Sequence, residues 1–249
     1  MDISHLLIMF LVSLGSSVFA TLVGGSSFVS IPVLIFLGLP PHTAIGTDRL
    51  GVSGLGIAGL YSFHKKGLVN YRIGFMVGLP CLVGSFLGAN LALQISPATM
   101  RILIAAMTVS LLIVIAAKPR LGVEKAEGPL TVPDYAKGIF FSLLVGTYGG
   151  FYGAGAATFL IYIMILVFRQ TFLEGAATLK LGSIALSATS GITYACHGAV
   201  DFPLAAAMFA GACIGSYFGA RYADRIGNVW IKRVFIGVVL LMVIKLLVP

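Results

Sequence analysis

The stretch that decides the fold is Gly24-Gly25-Ser26-Ser27-Phe28, which is followed by Thr47-Asp48-Arg49. Both recur at an offset of 131 residues, as Gly155-Ala156-Ala157-Thr158-Phe159 and Thr178-Leu179-Lys180. The same offset, without a gap, matches Gly15 with Gly146, Gly51 with Gly182, and Gly84-Ser85-x-x-Gly88 with Gly215-Ser216-x-x-Gly219. Chance similarity between apolar segments would not keep one register over most of each half. We therefore interpret the chain as an internal duplication.

The composition is that of a membrane protein. Hydrophobic residues make up 59% of the chain and charged residues 10%, against about 25% charged residues in soluble domains. Several apolar stretches have about the length that a bilayer requires, namely 6–23, 73–93, 102–117, 204–222 and 234–248. They are apolar all round and lack the alternation of membrane β-strands. The sequence predicts an all-α polytopic membrane protein.

Other classes are excluded by what the sequence lacks. The net charge of +8 comes from Lys and Arg in short loops, which is typical of cytoplasmic loops and does not indicate nucleic-acid binding. The three cysteines show no metal-ligand spacing, and no nucleotide-binding or hydrolase motif is present. We expect no cofactor, no metal and no catalytic residues. Residues 1–20 have no Lys or Arg before the apolar run, so we expect this segment to be retained rather than cleaved.

The two halves are joined by a polar linker. We assign 1–117 to the first membrane repeat, 118–137 to a cytoplasmic linker and 138–249 to the second membrane repeat. Each repeat is predicted as a broken helix or hairpin followed by three transmembrane helices. The helical segments are 4–23, 27–39, 43–63, 73–93 and 102–117, then 138–153, 156–168, 174–195, 204–222 and 234–248.

The short segments after the breaks suggest helical hairpins. Segments 27–39 and 156–168 have 13 residues each, about 20 Å, which is too short for a hydrocarbon core of about 30 Å. We predict that each break is the tip of a hairpin that enters the bilayer and returns to the same side. The alternative is that both arms cross, which gives ten crossings instead of eight.

The loop charges favour inverted halves. An inverted arrangement places twelve Lys and Arg inside and leaves only Arg101 and Lys245 outside, whereas a parallel arrangement divides them eight to six. Because cytoplasmic loops carry the excess of positive charge, we predict two inverted structural repeats with both termini outside.

The two breaks are the predicted binding site. Non-helical backbone at membrane depth occurs where it lines a cavity, and the helix that starts there presents free N–H groups that attract anions. The residues expected to bind substrate here are Gly24, Gly25, Ser26, Ser27, Gly153, Gly155 and Thr158. The alternative is that glycines only permit close helix packing, which is the interpretation we favour for Gly84, Gly88, Gly215 and Gly219.

Two cations occupy equivalent positions near the breaks. A central Arg or Lys costs roughly 2.5–3.5 kcal/mol on membrane-insertion scales, so Arg49 and Lys180 call for a reason. We predict that both face one cavity and attract an anion, with Thr47 and Thr178 adding hydroxyl groups. The alternative is that they reach toward the helix ends or pair with Asp48 or Glu174. These two acids are also candidates for proton coupling, although interfacial placement explains them as well.

The chain resembles the TauE/SafE family of sulfite and organosulfonate permeases. The resemblance rests on Val23-Gly-Gly-Ser-Ser-Phe-x-x-x-Pro32, on Thr47-x-Arg49 and on the two glycine-containing breaks, and it covers nearly the whole chain. The chain departs from the family pattern at Ser26-Ser27, which shorten the Gly-rich run, and at Ile163, which stands where the first half has Pro32. The resemblance implies a permease, expected to be an exporter, for small sulfur-containing anions such as sulfite, thiosulfate or organosulfonates.

The resulting hypothesis is a secondary transporter that works by alternating access in the bacterial cytoplasmic membrane, that is, a multi-pass protein of the cell inner membrane. Its expected partners are a small anionic substrate and the lipid bilayer, with a homo-oligomer as the alternative to a monomer. A passive anion channel is the rival within transport. A membrane-embedded enzyme or a non-transporting assembly partner is the rival from another class.

Overall fold

The structure, a computed structural model, describes residues 3–104, 106 and 130–222. These residues form eight helices, which we number in chain order, and a further helical stretch over 97–104. The helices are α1 (Ile3–Val23), α2 (Ser27–Phe36), α3 (Pro41–Lys65), α4 (Tyr71–Leu93), α5 (Val132–Phe151), α6 (Ala156–Leu166), α7 (Phe172–Cys196) and α8 (Phe202–Arg221). The described part of the chain contains no strand, and the predicted all-helical class is confirmed. The predicted span 234–248 and most of 102–117 and 118–137 lie outside the described residues.

The duplication is visible in the helix bounds. α3 and α7 begin and end at positions that differ by the same 131 residues, and so do the first residues of α4 and α8. Their caps are also equivalent. The side chain of Asn70 accepts a hydrogen bond from the Ile73 amide at 3.1 Å, and that of Asp201 accepts one from the Leu204 amide at 3.1 Å. Such caps satisfy backbone amides that the first turn of a helix leaves free.

The first helix of the second half begins earlier than the sequence predicted. α5 starts at Val132, inside the predicted linker, because Thr131 and Asp134 form a capping box there. The Thr131 amide donates to the Asp134 carboxylate at 3.0 Å. Pro133 lies in the first turn, where its missing N–H costs the helix nothing.

The arms on either side of each break differ in length. α1 and α5 have 21 and 20 residues, about 30 Å each, whereas α2 and α6 have 10 and 11 residues, about 15 Å each. The first arm of each pair is therefore about as long as a bilayer core, whereas the second arm is too short to cross one.

The helices at the centre of the molecule run in opposite directions. Gly46 of α3 lies against Tyr194 of α7, Gly56 against Ile184, and Gly59 against Lys180. The residue numbers fall along α7 as they rise along α3, so α3 and α7 are antiparallel. α3 and α7 are also the equivalent helices of the two repeats, and they cross near their midpoints.

The outer helices are exchanged between the repeats. α1 runs in the same direction as α8, because Gly211, Gly215 and Gly219 contact Phe10, Leu14 and Val18 in turn. α4 runs in the same direction as α5, because Gly84 and Gly88 contact Leu143 and Thr147. The first helix of each repeat thus packs on a helix of the other, α1 on α8 and α5 on α4. These contacts confirm that the four glycines of the repeated Gly-x-x-x-Gly runs serve close helix packing.

Three of the described helices are long and apolar enough to cross a membrane, judged by length and composition, and these are α1, α4 and α8. α3 and α7 lie between them and carry the buried polar residues of the centre. Polar residues buried inside a membrane bundle are expensive and tend to mark function. The polar centre of α3 and α7 is therefore where a functional site is expected.

Candidate functional site

The two breaks meet in the middle of the protein. Gly24 has a φ of +81°, and a methyl group added to it would lie 2.8 Å from Ala157 Cβ and 3.0 Å from the Thr158 amide nitrogen. Only glycine fits here, because the conformation disfavours a side chain and the start of α6 occupies the space. The Thr158 hydroxyl also donates to the Val23 carbonyl at 3.0 Å, which satisfies a free carbonyl at the end of α1.

A cavity of about 40 Å³ lies where the breaks meet. It is lined by Ala20, Gly24, Gly25, Ser26, Ser27, Arg49, Val52, Leu55, Gly153, Ala156, Ala157, Leu160, Ser183, Leu186 and Ser187. Equivalent positions of the two repeats occur together in this set, at 25 and 156, 26 and 157, 52 and 183, and 55 and 186. The cavity therefore lies between the two repeats, where their equivalent surfaces face each other. Six of its lining residues are among the substrate-binding residues predicted from the sequence.

Arg49 is the cation of the cavity. Its side chain comes from the middle of α3 and is 3% exposed. The Nη2 group donates to the Ser27 hydroxyl and to the Asp48 carboxylate, and the guanidinium lies against the backbone of Gly153. A side chain at Gly153 would collide with it. The first repeat thus supplies a cation to the break of the second repeat.

Asp48 neutralises part of the Arg49 charge from the side away from the cavity. It is fully buried within the protein. Its carboxylate accepts hydrogen bonds from Ser27 at 2.7 Å, from Ser30 and from Arg49, and it does not line the cavity. The carboxylate therefore orients the guanidinium, which remains between Asp48 and the cavity. The Arg49 Nε–H has no hydrogen-bond partner among the described residues.

Lys180 has a different role from Arg49, although the two positions are equivalent. Its side chain is 1% exposed and does not line the cavity. The Nζ group donates to the Thr21 carbonyl at 2.7 Å, near the C-terminal end of α1, where the helix dipole attracts a cation. Within the described part of the chain, Lys180 makes no ion pair with a carboxylate. This hydrogen bond links α7 to the C-terminal end of α1.

Thr47 and Thr178 connect the repeats and do not line the cavity. The Thr47 hydroxyl accepts a hydrogen bond from the Asp201 amide at 2.9 Å, and the Thr178 hydroxyl accepts one from the Asn70 amide at 3.1 Å. Asn70 and Asp201 are the caps of α4 and α8. Each threonine therefore holds the start of a helix in the other repeat, which the sequence did not predict.

Neither Gly155 nor Glu174 lines the cavity. Gly155 is the N-cap of α6, with a φ of +80° that glycine adopts without strain. Glu174 forms a capping box with Thr171 at the start of α7, where its carboxylate accepts from the Thr171 amide at 3.0 Å. Its main local role is to cap a helix.

Sequence reasoning missed two polar residues of the cavity, Ser183 and Ser187. They follow Lys180 at intervals of three and four residues, which places all three on one face of a helix. This spacing is the signal that would have found them. Among the described residues there is no cluster of three or more His, Cys, Asp or Glu that could hold a metal ion.

Comparison with known proteins places the chain among membrane transporters. The family model described as "Sulfite exporter TauE/SafE" matches residues 9–246. A "Probable membrane transporter protein YdhB" of Bacillus subtilis is 29% identical over 84% of this chain and 86% of its own length. A "Probable membrane transporter protein" of Haemophilus influenzae is 24% identical over 98% of this chain and 95% of its own length. No solved structure matches the chain.

Proposed function

Because the chain belongs to the sulfite exporter TauE/SafE family and is a multi-pass protein of the cell membrane, we propose that it is a secondary transporter that exports small sulfur-containing anions. Sulfite, thiosulfate and small organosulfonates are the candidate substrates. The observation that carries this proposal is the cavity between the two breaks, with Arg49 on its wall.

The charge and hydrogen-bonding groups of the cavity suit an anion. The Arg49 guanidinium has a free Nε–H, and Asp48 is held away from the cavity by three hydrogen-bond donors. The starts of α2 and α6 add the partial positive charge of helix N-termini. Oxygens of a sulfur oxyanion are strong acceptors for charge-assisted hydrogen bonds from such groups.

The size of the cavity favours the smallest candidates. Sites for drug-sized ligands occupy about 300–1,000 Å³, whereas this cavity has about 40 Å³. Sulfite has four non-hydrogen atoms and thiosulfate five, and an organosulfonate such as taurine is larger. We therefore propose sulfite as the first substrate to test.

The arrangement of the repeats supports alternating access. α3 and α7 are antiparallel, and α1 runs opposite to α5, which is what an inverted repeat requires. We propose that the two repeats are inverted and that they rock about the cavity, exposing it to one side of the membrane at a time.

The first experiment measures ligand-dependent thermal stability of the purified protein with sulfite, thiosulfate, sulfate, taurine and chloride. A specific ligand at a hundred times its dissociation constant stabilises the fold by about 2.7 kcal/mol. The site variant is Arg49→Met with Asp48→Asn, so that no buried carboxylate loses its cation. The matched control is Arg101→Met, because Arg101 is exposed and far along the chain from the cavity. We expect the sulfite shift to survive in the control and vanish in the site variant. An unchanged shift in the site variant would overturn the assignment.

The second experiment separates a transporter from its rivals. The protein is reconstituted in vesicles, and sulfite accumulation is followed with and without an imposed proton gradient. Accumulation against the sulfite gradient supports a secondary transporter, and equilibration alone supports a channel. Chemical conversion of sulfite by the protein in detergent, without a vesicle interior, supports an enzyme.

A further inference from the structure

The two central helices contribute different polar groups to the cavity. Ser183 and Ser187 line it from α7. The equivalent positions on α3 are Val52 and Gly56, which carry no hydroxyl. Because the two repeats are related by a fixed offset, a site that used both repeats equally would have matching residues at these positions. α3 therefore contributes the Arg49 cation to the cavity, and α7 contributes two hydroxyl groups.

The hydroxyls of Ser183 and Ser187 make no side-chain hydrogen bond within the part of the chain that the structure describes. Ser187 is 2% exposed and Ser183 is half-buried, and both residues line the cavity. Serines inside helices commonly donate to the carbonyl four residues earlier. Ser190 on the same helix does so, since its hydroxyl donates to the Leu186 carbonyl at 2.7 Å. The Ser183 and Ser187 hydroxyls instead remain available to hydrogen-bond a molecule in the cavity.

We propose that the Ser183 and Ser187 hydroxyls bind the transported anion and, together with Arg49, select an oxyanion with several acceptor oxygens. This inference rests on the proposed function. The two hydroxyls lie one helical turn apart on α7, and the guanidinium comes from α3. Donors on two sides of a small cavity meet separate oxygens of one ligand. A monatomic anion offers a single acceptor centre and does not satisfy all of them at once.

The apolar residues of the cavity lining also discriminate between anions. Val52, Leu55, Leu160 and Leu186 lie around the same cavity and offer no hydrogen bond. A sulfur centre that carries its oxygens on one side and a lone pair or a small apolar group on the other matches this division. Sulfate has oxygens in all directions, and one of them would face the apolar wall without a partner.

The test compares two sets of serine substitutions on one helix. The site variant is Ser183→Ala with Ser187→Ala, and the matched control is Ser190→Ala. Binding of sulfite, sulfate and chloride is measured by calorimetry, and the melting temperature is measured without ligand. We expect the site variant to bind sulfite at least tenfold more weakly, with an unchanged or raised melting temperature, because no hydrogen bond within the protein is lost. Ser190→Ala should bind sulfite within about twofold of the parent and melt at a lower temperature.

A second pair of variants isolates the hydroxyl. Ser187→Thr and Ser187→Val have nearly the same shape, and only the first keeps the hydroxyl. We expect the threonine variant to bind sulfite more tightly than the valine variant, by about fivefold or more. Equal affinities in the two would overturn the proposal, as would parent-like sulfite binding in the Ser183→Ala/Ser187→Ala variant or a melting temperature that falls with the affinity.

The outcomes also separate this inference from the proposed function. If the Arg49→Met/Asp48→Asn variant loses sulfite binding and the serine variants keep it, the anion site stands and the serine inference fails. If the parent protein binds none of the sulfur anions, both fail. Loss of sulfite binding in both sets, with the Ser190→Ala control intact, supports both.

Discussion

Arg49 and Lys180 stand at equivalent positions of the two repeats, and the structure gives them different surroundings. Arg49 is bonded to a buried carboxylate and borders the cavity. Lys180 is bonded to a backbone carbonyl at the end of α1 and lies outside the cavity lining. The residue before each cation explains part of the difference, since it is Asp48 in the first repeat and Leu179 in the second.

The two repeats therefore share a fold but contribute different chemical groups to the site. A paired arginine keeps its charge and its orientation in a low dielectric, which suits a group that meets a ligand. An ammonium on the carbonyl end of a helix stabilises a helix junction. The first repeat therefore supplies the cation of the site, and the second adds two serine hydroxyls from α7.

Removing Asp48 should have the largest effect on stability. Asp48→Ala leaves Arg49 as a buried cation without its carboxylate, and breaking a buried ion pair in this way costs about 3–5 kcal/mol. Thermal unfolding in detergent micelles measures it. The double variant Asp48→Asn/Arg49→Met should recover most of the loss, because no charge remains unpaired. Equal destabilisation of the single and double variants would show that the ion pair does not orient Arg49.

A side chain at Gly153 should have the next largest effect. Gly153→Ala combines a strained φ of +85° with a collision with the guanidinium. The control is Gly38→Ala, which has a similar φ of +96° and nothing within 4 Å. The strain alone costs roughly 1–2 kcal/mol, and we expect the Gly153 variant to lose clearly more and to bind sulfite weakly. Equal losses in the two variants would mean that Arg49 moves away freely.

The two threonines should have small effects, somewhat larger at Thr178 because its hydroxyl also accepts a hydrogen bond from the Gln170 side-chain amide at 3.2 Å. Thr47→Val and Thr178→Val each remove an acceptor for the amide of a helix cap in the other repeat. Each should cost about 1 kcal/mol in unfolding free energy and leave sulfite affinity unchanged. A tenfold drop in sulfite affinity in either variant would show that the threonine contributes to sulfite binding.

Lys180→Met should have the smallest effect of all on stability. It exchanges a buried ammonium with one hydrogen bond for an apolar side chain of similar length, so we expect a change within about 1 kcal/mol of zero. Sulfite affinity should stay within tenfold of the parent. Complete loss of binding, as expected for the Arg49 variant, would show that both cations act on the ligand and that the comparison is wrong.

The sequence predicted the helices and the breaks well because the two halves repeat at a fixed offset, so that an assignment in one half supports the same assignment in the other. It located both breaks, the bounds of α3 and α7 to within two residues, and the presence of Arg49 and Gly153 at the same place. Those features follow from glycine positions, apolar lengths and the cost of a charge inside a membrane. They need no knowledge of which side-chain rotamer is adopted.

The rest depended on contacts between repeats. Thr47 and Thr178 face helix caps of the opposite repeat, and no local pattern shows that Asp201 or Asn70 lies there. The equivalent positions of Arg49 and Lys180 in the two repeats predict equivalent surroundings, and hence two cations in one cavity. Small sequence differences, such as Leu179 in place of Asp48, give the two cations different contacts in the packed structure.

The exchange of outer helices has a consequence for the history and assembly of the chain. Among the described helices, α1 packs on α8 and α5 packs on α4, so each repeat supplies a packing partner for the first helix of the other. A single-repeat ancestor with this packing would have depended on a second copy of itself. We expect the same dependence today. Residues 1–129 and 130–249, produced as two chains in one cell, should assemble, and either one alone should be degraded.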